Sequence, residues 1–301
     1  MTGQLRVRPG FVWDAQDAYL FDIDGTLLRS RDRIHFDSFA QSIHQVTGFE
    51  VSLTGVVLHG GTDTAILHEA FALAGIPREA WEPQVETILE AMRRTVAARR
   101  GEMDLRVMPA VEETLTHLAS RGALLGLATG NLELIGWIKV EVAGLREWFR
   151  FGGFSDRFPV RSAMVHDAAA KARELLGPDA GPNAGICVVG DTPRDIEAAR
   201  ANGLPVIAVA TGNYSFEELT ALEPDACASS LAALMAATVG AELCSSPPCW
   251  PPRLPDLPDR RRCRRPCRKP PLRWSSRIRT RRTCNPHRPQ RNRIQPPRDR
   301  K

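Results

Sequence analysis

The sequence predicts an α/β protein with a doubly wound parallel sheet and an inserted all-helical cap domain. Two observations predict the sheet: short apolar runs suited to buried strands alternate with helical patterns, and several of these runs end in polar clusters. A third predicts the insertion, because a long stretch after the first strand has helical spacing without a convincing strand pattern. The expected architecture is a Rossmann-like core interrupted by helices.

The first strand is predicted in an apolar run that begins at Ala18 and ends in the carboxylates of Asp22 and Asp24. Gly25 follows as the turn at the carboxyl end of the strand. From about residue 30 to residue 106 the spacing becomes helical and is punctuated by glycines. We expect helices in this insertion near residues 35–47, 62–73 and 81–100.

Strands and helices alternate after Pro109 and complete the predicted sheet. The predicted elements are a helix over 110–120, a strand over 123–128, a helix over 161–176, a strand over 185–189, a further helix, a strand over 205–209, and a weak strand near residue 226 with a helix over 231–239. This order predicts a catalytic core formed by residues 1–28 and 107–244, with the helical cap over residues 29–106.

The segment 245–301 differs from the rest in composition. From Ser246 onward it holds 17 Arg and 2 Lys against 3 Asp, a net charge of +16, whereas the other 245 residues hold 21 basic and 32 acidic residues, a net charge of −11. Rich in Pro and Arg and poor in aliphatic residues, it is predicted to be disordered. Arginine-dense segments can bind nucleic acid or anionic membranes, but a passive extension is favoured, so nucleic-acid binding is not expected.

The overall composition further limits the class of protein. The chain has 301 residues, 43% hydrophobic and 25% charged, as in an ordinary globular protein. It shows neither a signal-peptide pattern nor an apolar run of the roughly 18 residues that span a bilayer, so a cytoplasmic protein without membrane partners is expected, monomeric or homodimeric. Its seven cysteines include no CxxC pair, so free thiols in a reducing compartment are expected. Its seven histidines lack metal-ligand spacing, so structural or surface roles are expected for them.

Polar clusters follow three of the predicted parallel strands. They are Asp22 with Asp24, Thr129 with Gly130 and Asn131, and Asp191 with Asp195. Because the carboxyl ends of parallel strands meet at one edge of the sheet, the clusters should converge there. Carboxylates held that close repel one another, and a hard cation that prefers oxygen ligands, such as Mg²⁺, would keep them ionised.

In this order and context the clusters resemble the four motifs of the haloacid dehalogenase superfamily. The matching residues are Asp22-Ile23-Asp24-Gly25-Thr26, then Thr129, then a basic residue, then Gly190-Asp191 with Asp195. The resemblance covers roughly residues 18–234, including the position of the cap. It is strongest to phosphoglycolate-phosphatase-like and β-phosphoglucomutase-like members.

The resemblance implies a role for each motif residue. Asp22 would attack phosphorus and form an aspartyl-phosphate. Asp24 would protonate the leaving oxygen and then activate water. Thr129, Gly130 and Asn131 would hold the phosphoryl oxygens.

The same resemblance implies a Mg²⁺ site. Asp22, Asp191 and the carbonyl oxygen of Asp24 would ligate the ion, with Asp195 supporting the cluster. The third motif departs from the pattern, because the chain has no Lys-Pro at the expected helix start. Arg161, which begins the predicted helix, is favoured as the phosphate-binding cation, and Lys171 is the alternative.

The implied activity is Mg²⁺-dependent hydrolysis of a small phosphorylated metabolite. Asp24 argues against dehalogenation, because a halide leaving group needs no proton. Two alternatives stay open: a phosphomutase of the same fold, and a non-catalytic binding protein with a nucleic-acid-binding basic tail. The cap sequence Gly60-Gly61-Thr62-Asp63 is either a substrate-facing loop or the start of a helix.

Overall fold

A computed structural model of the protein describes residues 3–178 and 184–237. The prediction of a disordered tail over residues 245–301 lies outside these residues, as does the end of the predicted core after residue 237. None of the helices described has both the length and the apolar character needed to cross a membrane.

Seven strands of the described chain form one mostly parallel sheet, and two more form a separate ribbon. In chain order the strands are β1 (Leu5–Val7), β2 (Ala18–Phe21), β3 (Leu28–Ser30), β4 (Leu105–Val107), β5 (Leu124–Ala128), β6 (Phe151–Gly153), β7 (Ile186–Gly190), β8 (Val206–Val209) and β9 (Ala226–Ala228). The sheet order is β1-β9-β8-β7-β2-β5-β6, with β1 antiparallel at one edge. The predicted parallel α/β core is confirmed, and β2 lies in its interior between β7 and β5.

Helices cover both faces of this sheet and form the insertion. In chain order they are α1 (Ile34–Thr47), α2 (Asp63–Leu73), α3 (Arg78–Trp81), α4 (Val85–Ala98), α5 (Val111–Ser120), α6 (Glu133–Val142), α7 (Arg161–Leu176), α8 (Pro193–Ala201) and α9 (Phe216–Ala221). Residues 231–237 are also helical. The doubly wound arrangement follows from alternation along the strands: Tyr19 and Phe21 pack with α5 on one face, and Ala18 and Leu20 pack with α7 on the other.

The insertion has its own apolar core, formed by α1, α2 and α4 with Trp81. Trp81 stacks on Phe71 with ring centroids 4.7 Å apart. Leu132 and Ile135, which follow β5, belong to the same cluster, so the cap packs directly on the segment that carries the second polar cluster.

The expectation of an insertion without strands was wrong at its two ends. β3 and β4 pair antiparallel through Leu28 opposite Val107, and this ribbon joins the core to the cap. Three-residue strands are too short to show an alternating pattern in sequence.

The single helix predicted over 81–100 is also divided. Glu82–Gln84 forms a 3₁₀ turn between α3 and α4. Pro83 lies in this turn, where its missing N–H disfavours a continuous α-helix.

Sequence reasoning missed four strands and α-helices of the described core: β1, α6, β6 and α9. β6 contains Gly152 and Gly153, which weaken a strand pattern, and α6 begins only two residues after Asn131. The omission of α6 matters because this helix contributes a residue to the site.

Candidate active site

The position of β2 between β5 and β7 explains why the three polar clusters meet. Phe21 lies opposite Leu127 of β5 on one side and Val189 of β7 on the other, all in parallel register. Asp22, the residue after β2, therefore lies at the same sheet edge as the residues that follow β5 and β7. A cavity of about 250 Å³, lined by residues of the core and of the cap, opens at this edge.

Three buried carboxylates form a compact cluster at the edge. Asp22, Asp191 and Asp195 are 5%, 3% and 1% exposed, and each offers an oxygen within 4.8 Å of the others. Close approach to Asp191 depends on Gly25, whose φ is +91° and where a Cβ would lie 2.4 Å from Asp191 Oδ2. The turn glycine of the first motif thus makes room for an aspartate of the fourth.

Arg161 supplies the positive charge at this cluster. It is the first residue of α7, and its guanidinium lies 3.1 Å from Asp22 Oδ1 while its Nε donates to Asp195 Oδ1 at 2.9 Å. Its Nη1 also donates to the carbonyl of Gly60 in the cap at 3.1 Å. Although burial opposes the charged form, Asp195 and Asp22 raise the pKa of Arg161, so the guanidinium is permanently cationic.

Lys171, the alternative cation, lies elsewhere. Its Nζ donates to the carbonyl of Gly152 at 2.8 Å and pairs with Asp167 at 2.7 Å, and its side chain is 44% exposed. The structure brings Arg161, and not Lys171, to the carboxylate cluster.

Both carboxylate oxygens of Asp195 accept hydrogen bonds. Oδ1 accepts from Arg161, and Oδ2 accepts from the backbone N–H and the hydroxyl of Thr192 at 3.0 and 2.7 Å. Thr192 and Asp195 form the capping box at the start of α8. Asp195 therefore holds Arg161 in place, which fits a supporting role better than direct ligation.

Asp24 is held by two other residues that line the cavity. Lys139 Nζ donates to Asp24 Oδ2 at 2.6 Å, and Asn131 Nδ2 donates to the same oxygen at 2.9 Å. Lys139 also donates to Asn131 Oδ1 at 2.8 Å, which closes a triangle of hydrogen bonds. The carboxamide of Asn131 also donates to Thr129 Oγ1 at 2.7 Å.

Lys139 was missed by sequence reasoning, although a signal existed. It lies on α6 in the buried stripe formed with Ile135 and Ile138, at helical spacing i, i+3, i+4. A lysine on the apolar stripe of a helix is costly unless its charge has a partner, so its position pointed to a buried anion.

The cap reaches the site through the segment that begins at Gly60. Thr62 caps α2 by accepting from the Ala65 N–H, as the helix-start interpretation expects. The backbone N–H of Asp63 donates to the carbonyl of Gly130 at 2.7 Å, and Asp63 Oδ2 lies 3.0 Å from His35 Nε2. His35 lines the cavity, so this histidine is a site neighbour and not a surface residue.

The electrostatics separate the two aspartates of the first motif. Burial raises the pKa of Asp22 and of Asp191, and neighbouring carboxylates raise both further, while Arg161 opposes the rise. Asp24 behaves oppositely: its partial burial favours the neutral form, but the charge and hydrogen bond of Lys139 and the hydrogen bond of Asn131 outweigh it, so the pKa of Asp24 is lowered.

The cluster has the chemistry of a divalent-cation site. Its three carboxylates face one guanidinium, since Lys139 is engaged by Asp24 and Asn131. Fully ionised, the cluster retains two uncompensated negative charges in a buried place, and a hard cation that takes oxygen ligands offsets them. Asp22 and Asp191 are the free donors, because both oxygens of Asp195 are committed.

Fold and site together define a hydrolase class in which a strand-end aspartate lies among acidic residues under a helical cap. The family model for haloacid dehalogenase-like hydrolases matches residues 16–203, and the chain belongs to this family. The resemblance stated from the sequence motifs is confirmed.

Named relatives agree with this assignment. The chain is 27% identical over 218 residues to a phosphoglycolate phosphatase of Mesorhizobium japonicum, covering 71% of this chain and 91% of the relative. It is 28% identical over 217 residues to the probable phosphatase IndB of Dickeya dadantii, covering 68% and 86%.

Solved structures share the fold. A predicted phosphoglycolate phosphatase of Haemophilus somnus matches with a TM-score of 0.53 and 20% identity, over 74% of this chain and 98% of that one. A predicted phosphatase of Clostridium acetobutylicum matches with a TM-score of 0.53 and 21% identity, over 70% and 93%.

Proposed function

We propose that this protein is a Mg²⁺-dependent phosphatase that hydrolyses monoesters of small phosphorylated metabolites through an aspartyl-phosphate on Asp22. Family membership, together with relatives named as phosphatases, makes it a phosphatase enzyme. One observation carries the finer proposal: Asp22 lies between Arg161 and Asp191 at the cavity, with a separately held Asp24 two residues away.

In the first step a carboxylate oxygen of Asp22 bonds to phosphorus while the bond from phosphorus to the ester oxygen breaks. Asp24 gives its proton to that leaving oxygen. Because the pKa of Asp24 is lowered, its carboxylate is ionised before the substrate binds and takes this proton from the substrate. A phosphate monoester, with a second pKa of about 6, is partly monoprotonated near neutral pH.

In the second step Asp24 accepts a proton from water as the water oxygen bonds to phosphorus. The bond between Asp22 and phosphorus breaks, which regenerates the Asp22 carboxylate and releases inorganic phosphate. Asp24 thus serves as acid and then as base. The proton that it takes from water leaves with the released phosphate, so Asp24 returns to its starting, deprotonated form.

The remaining residues are proposed to bind the phosphoryl group and the metal ion. Arg161 and the segment from Thr129 to Asn131 are proposed to contact the phosphoryl oxygens. Asp22, Asp191 and the Asp24 carbonyl are proposed to hold Mg²⁺, with Asp195 in support. When bound, the ion neutralises charge between the carboxylates and the phosphoryl group. A cytoplasmic location remains a prediction.

The test is release of inorganic phosphate from a panel of small phosphate esters, with and without Mg²⁺, by the wild type and by Asp22→Asn. We expect Mg²⁺-dependent turnover by the wild type and at least about 10³-fold less by the variant, since the nucleophile is lost. A wild type that releases no phosphate from any ester, or an unimpaired Asp22→Asn, would contradict the proposal.

A further inference from the structure

We propose that Lys139 is a positioning residue for Asp24, which it holds so that one carboxylate oxygen is left to exchange a proton with the substrate. This inference rests on the proposed function. Its evidence is the contact geometry of α6, a helix with no part in the sequence motifs.

The first step of the argument is the burial of Lys139. The residue is 2% exposed, and within the described residues its Nζ has two hydrogen-bond partners, Asp24 Oδ2 at 2.6 Å and Asn131 Oδ1 at 2.8 Å. An apolar side chain of similar volume would fill the same place without the cost of desolvating an ammonium, so the ion pair gives little reason for the lysine in terms of stability alone.

The second step is the choice of oxygen. Both hydrogen bonds that the Asp24 side chain accepts in the described chain, from Lys139 and from Asn131, fall on Oδ2. Oδ1 is thereby left for the leaving oxygen and, later, for water. The Asp24 side chain keeps 43% exposure and lines the cavity, whereas its anchor is buried.

The third step is that the two buried cations contact different aspartates. Arg161, on α7, contacts Asp22, and Lys139, on α6, contacts Asp24. These helices pack on opposite faces of the sheet, as shown by Val140 in one core cluster and Met164 in the other. Nucleophile and acid/base are therefore oriented independently.

Lys139→Met tests the inference, compared on two esters that differ in the leaving group. p-Nitrophenyl phosphate departs as a stabilised phenolate that needs no proton, whereas glycerol phosphate departs as an alkoxide that does. The readout is kcat/KM, which reports the steps up to departure of the leaving group. Asp24→Asn is the reference variant, and Arg8→Met, which removes an exposed cation paired with Asp225, is the control.

We expect Lys139→Met to lower kcat/KM for glycerol phosphate by about 10²-fold and for p-nitrophenyl phosphate by less than about tenfold, the pattern expected of Asp24→Asn. Arg8→Met should change neither. Added ethylammonium should partly restore glycerol phosphate turnover in Lys139→Ala, whose shortened side chain leaves room for it, but not in Asp24→Asn.

Equal losses on both esters, or no loss on glycerol phosphate, would overturn the role of Lys139 while leaving the phosphatase proposal intact. Failure of ethylammonium to rescue Lys139→Ala would also count against it. A wild type inactive on both esters overturns the proposed function and the inference together. Thermal melts of all variants identify any that do not fold.

Discussion

The aspartates of the site differ in the residues that hold them, although they are the same residue type. Asp22, Asp24, Asp191 and Asp195 are the same residue type, but Arg161, Lys139, Thr26 and Thr192 hold them in different ways. Consequently the pKa is raised for Asp22 and Asp191 and lowered for Asp24, and the four carboxylates differ in the oxygens left available. Identical side chains can take separate chemical roles in this way.

Arg161 and Lys171 provide a matched test at the residue scale. We expect Arg161→Met to lower kcat/KM by about 10²- to 10³-fold, because it removes the cation beside Asp22. Lys171→Met should stay within about twofold, since this lysine contacts Gly152 and Asp167 outside the cluster. Steady-state kinetics of both variants on one substrate test this prediction. A larger loss of kcat/KM in Lys171→Met than in Arg161→Met would restore Lys171 as the third-motif cation.

Metal binding should depend on pH with a defined sign. The pKa values of Asp22 and Asp191 are raised in the folded metal-free protein, so deprotonation above their unfolded value of about 4 progressively removes stability. Mg²⁺ binds the deprotonated carboxylates and relieves this loss.

The rise in Tm on adding Mg²⁺ should therefore be larger near pH 8 than near pH 5.5, as measured by calorimetry. Asp191→Asn should abolish most of the rise and should be more stable than the wild type without metal at the higher pH. A rise that is the same at both pH values would contradict the assignment of these carboxylates.

At the element scale, helix caps connect stability to the site. Thr192 caps α8 and Ser215 caps α9, each in a capping box with the residue three positions on. The α8 box also fixes Asp195, whereas Glu218 of the α9 box is exposed.

Thr192→Ala and Ser215→Ala should each cost about 1 kcal/mol of unfolding free energy, measured by denaturant titration. Only Thr192→Ala should also lower kcat, because Asp195 loses one of the bonds that hold it against Arg161. Thr192→Ser keeps the hydroxyl and should retain both properties. Equal activity of the two alanine variants would show that this bond has no effect on catalysis.

At the scale of the whole molecule, the cap packs directly on the sheet edge that carries the candidate site. A Cβ on Gly130 would lie 2.1 Å from the carbonyl oxygen of Gly61, so the cap loop and the second motif approach as closely as glycine permits. Thr62 Oγ1 donates to the Pro159 carbonyl and Thr64 Oγ1 to the Ser155 carbonyl, at 2.7 and 3.0 Å. The contacts between cap and core thus lie beside the residues of the candidate site.

Gly130→Ala should push this loop away and raise KM for a small phosphate ester by at least about tenfold. Gly101→Ala, where a Cβ would meet no atom within 4 Å, should leave KM unchanged. Initial-rate kinetics provide the comparison, and an unchanged KM in Gly130→Ala would mean that the loop does not need this contact.

The sequence by itself determined the α/β class, the parallel character of the sheet and the family, because buried strands are continuous apolar runs and the first and fourth motifs adjoin them. α7 was predicted with the bounds that the structure gives, since Arg161 and Leu176 enclose a clear helical pattern. Such signals are local, and local patterns are what a single sequence records.

Only the tertiary structure decided which cation pairs with which carboxylate. Lys139 and Asp24 are 115 residues apart, and Arg161 and Asp195 are 34 apart, so no local spacing encodes either pair. The same holds for Asp63 of the cap and the carbonyl of Gly130. Apolar periodicity assigns each residue to an element, but the packing of α6, α7 and the cap around β2 selects the partners of a buried charge.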